Sequence, residues 1–143
     1  MKFLLIPIIV YLLNQVIKYF YVLHRRRKIV GNRLFWTFVW VGQFPSAHSA
    51  VLASSLTLVY LDNGLNAVFG FCVFAALIFI YGLLEDKKRQ TILEDYYVSS
   101  DNPAFLQAVK DEILIDFAGH TLLEVIAGIL VGIGLTLYIS KII

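Results

Sequence analysis

Apolar residues fill the chain in long runs separated by short polar stretches, and the run lengths predict helices that cross a membrane. Phe3 to Leu23 is the first run; as a helix it covers about 31 Å, close to the hydrocarbon thickness of a bilayer. Leu34 to Phe44 is aromatic and apolar but too short to span, and Pro45 interrupts it. Ser46 to Leu61 comes next, with Pro45 at its start, where a missing N–H is tolerated. The turn Asp62-Asn63-Gly64 then leads into Ala67 to Leu84, the returning arm of a helical hairpin. Glu85 to Glu112 is polar and is expected to be a loop, most clearly over Ser99-Ser100-Asp101-Asn102-Pro103. Ile113 to Ile139 is apolar again. The pattern predicts an all-α integral membrane protein with about four transmembrane helices and a short interfacial or re-entrant segment before Pro45. Residues 1–143 are expected to form one domain, since nothing resembles a linker or an internal repeat.

Composition sharpens this picture. With 59% hydrophobic and only 15% charged residues, the chain has too little polar surface to cover a water-soluble core, so its excess apolar surface faces lipid. A net charge of +2 gives no footprint for nucleic acid, and the basic residues gather beside the apolar runs as membrane flanks do. Cys72 is the single cysteine, which excludes a disulfide framework and a cysteine metal site. Lys2 and the run after it imitate a signal peptide. No small-residue cleavage site follows, and a retained first span fits better.

Basic residues also set an expected orientation. Arg25, Arg26, Arg27, Lys28 and Arg33 lie after the first run, and Lys87, Lys88, Arg89 and Lys110 lie after the third. With four spans both stretches fall on one side, which the positive-inside rule assigns to the cytoplasm. The expected location is a bacterial plasma membrane with these loops cytoplasmic and both termini outside. Lys18, His48, His120 and Glu124 then come to one depth on the cytoplasmic side. Gly128 and Gly132 have the spacing that lets two membrane helices approach closely. Their partner is either a helix of this chain or a second copy, which would make a homo-oligomer.

The ionisable groups inside the spans carry the candidate chemistry, because such groups are costly there. On a helix His120 and Glu124 share a face, so the carboxylate can fix the imidazole tautomer and leave the other nitrogen as a nucleophile or base. The bland alternative is a polar pair that only tethers helices. Around Pro45-Ser46-Ala47-His48 a helix N-terminus offers free N–H groups, Ser46 a hydroxyl and His48 an imidazole, a suitable set for an anion. A simple N-cap explains the same residues. Lys18, with Gln15 on the preceding turn, reads by itself as a side chain reaching the interface. Asp116 is a further polar candidate near His120.

Three stretches carry a resemblance: Asn14-Gln15-Val16-Ile17-Lys18, Phe44-Pro45-Ser46-Ala47-His48-Ser49-Ala50, and Gly119-His120-Thr121 through Glu124-Val125 to Gly128. In order and separation they resemble the motifs of the divergent branch of the type 2 phosphatidic-acid phosphatase superfamily, relatives of vanadium-dependent haloperoxidases. The resemblance implies that His120 attacks phosphorus, Glu124 orients it and His48 protonates the leaving group. It implies that Ser46, Lys18 and Arg25, with Arg33 as a further candidate, hold phosphate. Arg26 stands where the superfamily has proline after that arginine. Leu114 stands where it has a phosphate-binding arginine, and Gly82 where the branch has aspartate, with Glu85 or Asp86 nearby.

The expected function is therefore a membrane phosphatase or phosphotransferase acting on a lipid phosphate, monoester or diphosphate, through a phosphohistidine and without metal or cofactor. Two other readings stand beside it. One is a metal-dependent hydrolase using His48, His120 and Glu124 as ligands of a zinc-like ion. The other is a non-catalytic lipid-phosphate-binding or scaffolding protein, which Leu114 favours.

Overall fold

The structure, a computed structural model, describes residues 1–25, 44–99, 103 and 119–142. The described residues form four helices and no strand: α1 (Lys2–Arg25), α2 (Ala47–Asn63), α3 (Ala67–Ser99) and α4 (Leu122–Ile139). The segment expected before Pro45 lies outside the described residues, except for Phe44.

Three helices are long and apolar enough to cross a membrane, over Lys2–Tyr21, Ala67–Leu93 and Leu122–Ile139. The fourth, α2, has 17 residues and packs against α1, α3 and α4. Its inner face is made of small residues, Ala47, Ser49, Ala50, Ala53 and Ser54, with Leu58 further along. Such residues let neighbouring backbones come close, and they also lower its hydropathy.

Pairwise contacts fix the directions. Lys2 Nζ meets Asp62 Oδ1 at 2.8 Å, and Asn14 bonds to the Pro45 carbonyl, so α1 and α2 are antiparallel. Between α2 and α4 the residues pair in increasing order: Ser46 with Glu124, Ala50 with Gly132, and Ser54 with Thr136 through a 2.6 Å hydroxyl bond. These two helices are parallel. Their close approach depends on Gly128 and Gly132, where a Cβ would fall on the carbonyl oxygens of Ser46 and Ala50. The glycine face is thus filled by α2 of the same chain, the internal one of the two partners that its spacing allows.

Two boundaries differ from the sequence expectation. The stretch from Glu85 was expected to be a loop, yet α3 runs on to Ser99. Its polar residues are good helix formers with no proline or glycine among them, and polarity ends a lipid-facing surface without ending a helix. At about 50 Å, α3 is longer than a bilayer core is thick, so its last turns extend past it. The second difference is at the fourth apolar run. Gly119, His120 and Thr121 are not helical, and α4 starts only at Leu122.

Candidate functional site

The site is built where α1 ends, α2 begins, α4 begins and α3 passes. At α2, Ser46 is the N-cap, its Oγ accepting from the Ser49 N–H at 3.3 Å and the Ser49 hydroxyl at 3.0 Å. Pro45 therefore stands one residue ahead of the cap, not in the first turn. A serine hydroxyl has one hydrogen and two acceptor positions, so with both positions used by Ser49 its hydrogen is what Ser46 can offer a ligand. The Ser46 N–H donates to the Glu124 carbonyl at 3.0 Å, and the Asn14 amide donates to the Pro45 carbonyl at 3.3 Å. Helices α1 and α4 thus clamp the residues that launch α2, and His48 sits in the turn so fixed.

His120 is held by backbone rather than by a helix. Gly119 has φ +75°, open to glycine and strained for other residues, and a Cβ there would run into the α3 main chain at Leu83 and Lys87. That approach lets the His120 N–H donate to the Leu83 carbonyl at 2.9 Å. Thr121 then caps α4 in a capping box: Thr121 Oγ1 accepts from the Glu124 N–H, and Glu124 Oε2 accepts from the Thr121 N–H at 2.9 Å. The same Oε2 lies 3.3 Å from His120 Nδ1. The expected His120–Glu124 contact is present, but its cause is the capping box and not a shared helical face.

On its other side, His120 Nε2 lies 3.2 Å from His48 Nδ1, with ring centroids 5.5 Å apart. Glu124 as acceptor places a hydrogen on His120 Nδ1, which leaves Nε2 as a lone pair facing His48. His48 Nδ1–H is then the donor of the pair. His120 is 3% exposed, while His48 is exposed and lies beside Phe79 of α3, ring centroids 6.2 Å apart. The buried imidazole is therefore approached past the open one.

Lys18 is 4% exposed and interacts electrostatically with both Glu124 and His48. Its stem packs inside the bundle, whereas a snorkelling lysine would leave it. The structure thus gathers His48, His120, Glu124, Ser46 and Lys18. Arg25 ends α1, its side chain outside the described residues, where Arg33, Leu114 and Asp116 also lie. Asp86 is exposed, and Glu85 pairs with the exposed Arg89 at 3.8 Å along α3. Among the described residues no group of three His, Cys, Asp or Glu side chains is placed to hold a metal ion.

Four contributors were not singled out from the sequence as parts of the site: Asn14, the Leu83 carbonyl, Gly119 and Thr121. The last two had a signal, since Gly119 two residues ahead of Thr121-Leu122-Leu123-Glu124 spells a helix start. A backbone carbonyl such as that of Leu83 leaves no mark in a sequence.

A carboxylate, a buried imidazole with its lone pair turned to His48, and a second imidazole able to give a proton are the groups that a nucleophile with its acid requires. A lysine and a helix N-terminus supply positive potential for an oxyanion. The family model described as the Divergent PAP2 family matches residues 1–135. No curated protein and no solved structure matches the chain.

Proposed function

Because the chain belongs to the divergent PAP2 family, a branch of a phosphatase-like superfamily, we propose that it is a membrane phosphatase that hydrolyses a lipid phosphate through a phosphohistidine. The observation that carries this reading is the unbroken line from Glu124 Oε2 to His120 Nδ1, and from His120 Nε2 to His48 Nδ1.

The His120 Nε2 lone pair attacks phosphorus, and the bond from phosphorus to the lipid oxygen breaks with its electron pair on that oxygen. His48, as imidazolium, gives its Nδ1 proton to the departing alcohol or phosphate. Glu124 stabilises the charge that develops on His120. Water then attacks the phosphohistidine, His48 takes its proton, and the N–P bond breaks with its pair returned to His120. Lys18, the Ser46 hydroxyl and the first amides of α2 hold the non-bridging oxygens, with Arg25 and Arg33 as further cations. In-line attack needs phosphorus and the leaving oxygen between the two imidazoles, so substrate replaces the direct bond between them.

The test is phosphate release from phosphatidic acid and a polyprenyl diphosphate by the purified protein and its His120→Ala variant. Release by the wild type that falls to background in the variant is the expected result. Equal release by both removes His120 as nucleophile.

By the positive-inside rule, the basic segments support a site at the cytoplasmic leaflet. In cells carrying Cys72→Ser with Asn63→Cys, an impermeant thiol reagent applied from outside should label Asn63→Cys. Labelling only after cell rupture would reverse the orientation.

A further inference from the structure

Every group assigned above to the phosphate is a donor, yet α1 carries two buried acceptors in the turn before Lys18. Asn14 is 0% exposed and Gln15 4% exposed, one turn before Lys18 on α1. The orientation of the Asn14 carboxamide is decided by chemistry. Its partner, the Pro45 carbonyl, can only accept, so Nδ2 faces Pro45 and Oδ1 is an acceptor. Asn14 Oδ1 and Gln15 Oε1 have no hydrogen-bond partner. Buried acceptors are costly to leave unmatched, and a membrane interior raises that cost. Asn14 stands beside Pro45, the residue that precedes the Ser46 cap, and both carboxamides lie within one turn of the buried Lys18.

A fully ionised tetrahedral anion offers only lone pairs and would be repelled by carbonyl oxygens. A protonated phosphate offers a P–OH donor. We propose that Asn14 Oδ1 and Gln15 Oε1 accept the hydroxyl of a monoprotonated phosphoryl group, so that the site selects an oxyanion carrying a proton over one of the same shape without it. This rests on the reading of the site as a phosphate site and adds to it a protonation state and two specificity-determining residues. It explains why carboxamides, and not further cations, stand in the turn before Lys18. They match a donor hydrogen without adding charge.

Inorganic phosphate and sulfate separate the two ideas, since they share a shape and differ in the proton at about pH 6. Binding of each to the full-length protein in detergent micelles would be measured by titration calorimetry, for the wild type, Gln15→Met and Asn14→Leu. The wild type should bind phosphate at least about tenfold more tightly than sulfate, the scale expected when a buried acceptor loses its donor. Gln15→Met, which keeps length and loses the acceptor, should bring the ratio toward one. Wild-type binding of both anions with equal affinity overturns the proposal and leaves the anion site standing. A phosphate preference unchanged in both variants does the same. If neither anion binds, the phosphate site itself fails and the proposal falls with it. The wild-type comparison stands even if Asn14→Leu, which also loses its bond to Pro45, does not fold.

Discussion

His48 Nδ1 and His120 Nε2 lie 3.2 Å apart, although 72 positions separate the two residues in the chain. His48 is not held by its own helix alone, and His120 lies outside any helix. His48 depends on the Ser46 cap that Glu124 anchors, and His120 depends on α3 through the Leu83 carbonyl. Glu124 is the shared element, since its carbonyl fixes the turn of one histidine and its carboxylate fixes the ring of the other. Any displacement of the first turn of α4 therefore moves both imidazoles together.

If His48 supplies the proton for the leaving oxygen, its loss should matter only when that oxygen needs one. His48→Asn is expected to lower hydrolysis of an alkyl phosphate by about 10²–10⁴-fold. An aryl ester such as p-nitrophenyl phosphate, whose phenolate leaves unaided, should lose far less. Steady-state phosphate release from the two substrates checks this. An equal loss on both would mean that His48 holds the phosphate and is not its acid.

Glu124→Gln separates structure from chemistry at one residue. Glutamine also serves at the third position of a capping box, so the melting transition should move little, by about 1 kcal/mol or less. The amide cannot stabilise a positive imidazole as a carboxylate does, and activity should fall by about 10²-fold or more. Thermal unfolding and phosphate release on one preparation give both numbers. Parallel loss of stability and activity would reduce Glu124 to a cap.

The convergence of Lys18, His48 and His120 was legible because alternating spans return polar residues at the ends of apolar runs to one depth, whatever the packing. Where helices end was less legible. Hydropathy records which residues face lipid, so it closed α3 at Leu84 when the backbone goes on to Ser99. It also read one helix through Gly119-His120-Thr121, because the apolar residues on both sides hid a break that Gly119 and the capping box spell out. The glycine face of α4 could be seen in the sequence. Its partner could not, since close approach to Ser46 and Ala50 is a property of two helices and only one carries the pattern.

Lys18 is buried beside the proposed phosphate site, so its ammonium should act on bound phosphate both before and during reaction. Lys18→Met keeps the stem and removes the charge. A rise in KM of about tenfold or more, with kcat changed far less, is expected, because the charge on the equatorial oxygens grows little from substrate to transition state in phosphoryl transfer. Kinetics across a range of lipid phosphate concentrations in mixed micelles would show this. Unchanged KM and kcat would place Lys18 outside the phosphate site.

Gly128 and Gly134 offer a matched pair for asking whether the α2–α4 contact sets the site. A Cβ at Gly128 would fall on the Ser46 carbonyl oxygen, and Ser49 Cβ is only 3.1 Å away. That carbonyl accepts the Ala50 N–H at 3.0 Å, so it cannot turn aside without opening the first turn of α2. The helices must separate instead, and they would take the Ser46–Glu124 bond and the His48–His120 pair with them. Gly128→Ala should therefore cost about 1–3 kcal/mol and remove most activity. At Gly134 a Cβ meets nothing within 4 Å. There alanine should be neutral or stabilising by up to about 1 kcal/mol, because a glycine in a helix gains from the change. Unfolding in detergent and phosphate release, measured for both variants, decide the point. If Gly128→Ala keeps wild-type stability and activity, α4 is not pressed against Ser46, and the shared anchoring of the two histidines by Glu124 fails with it.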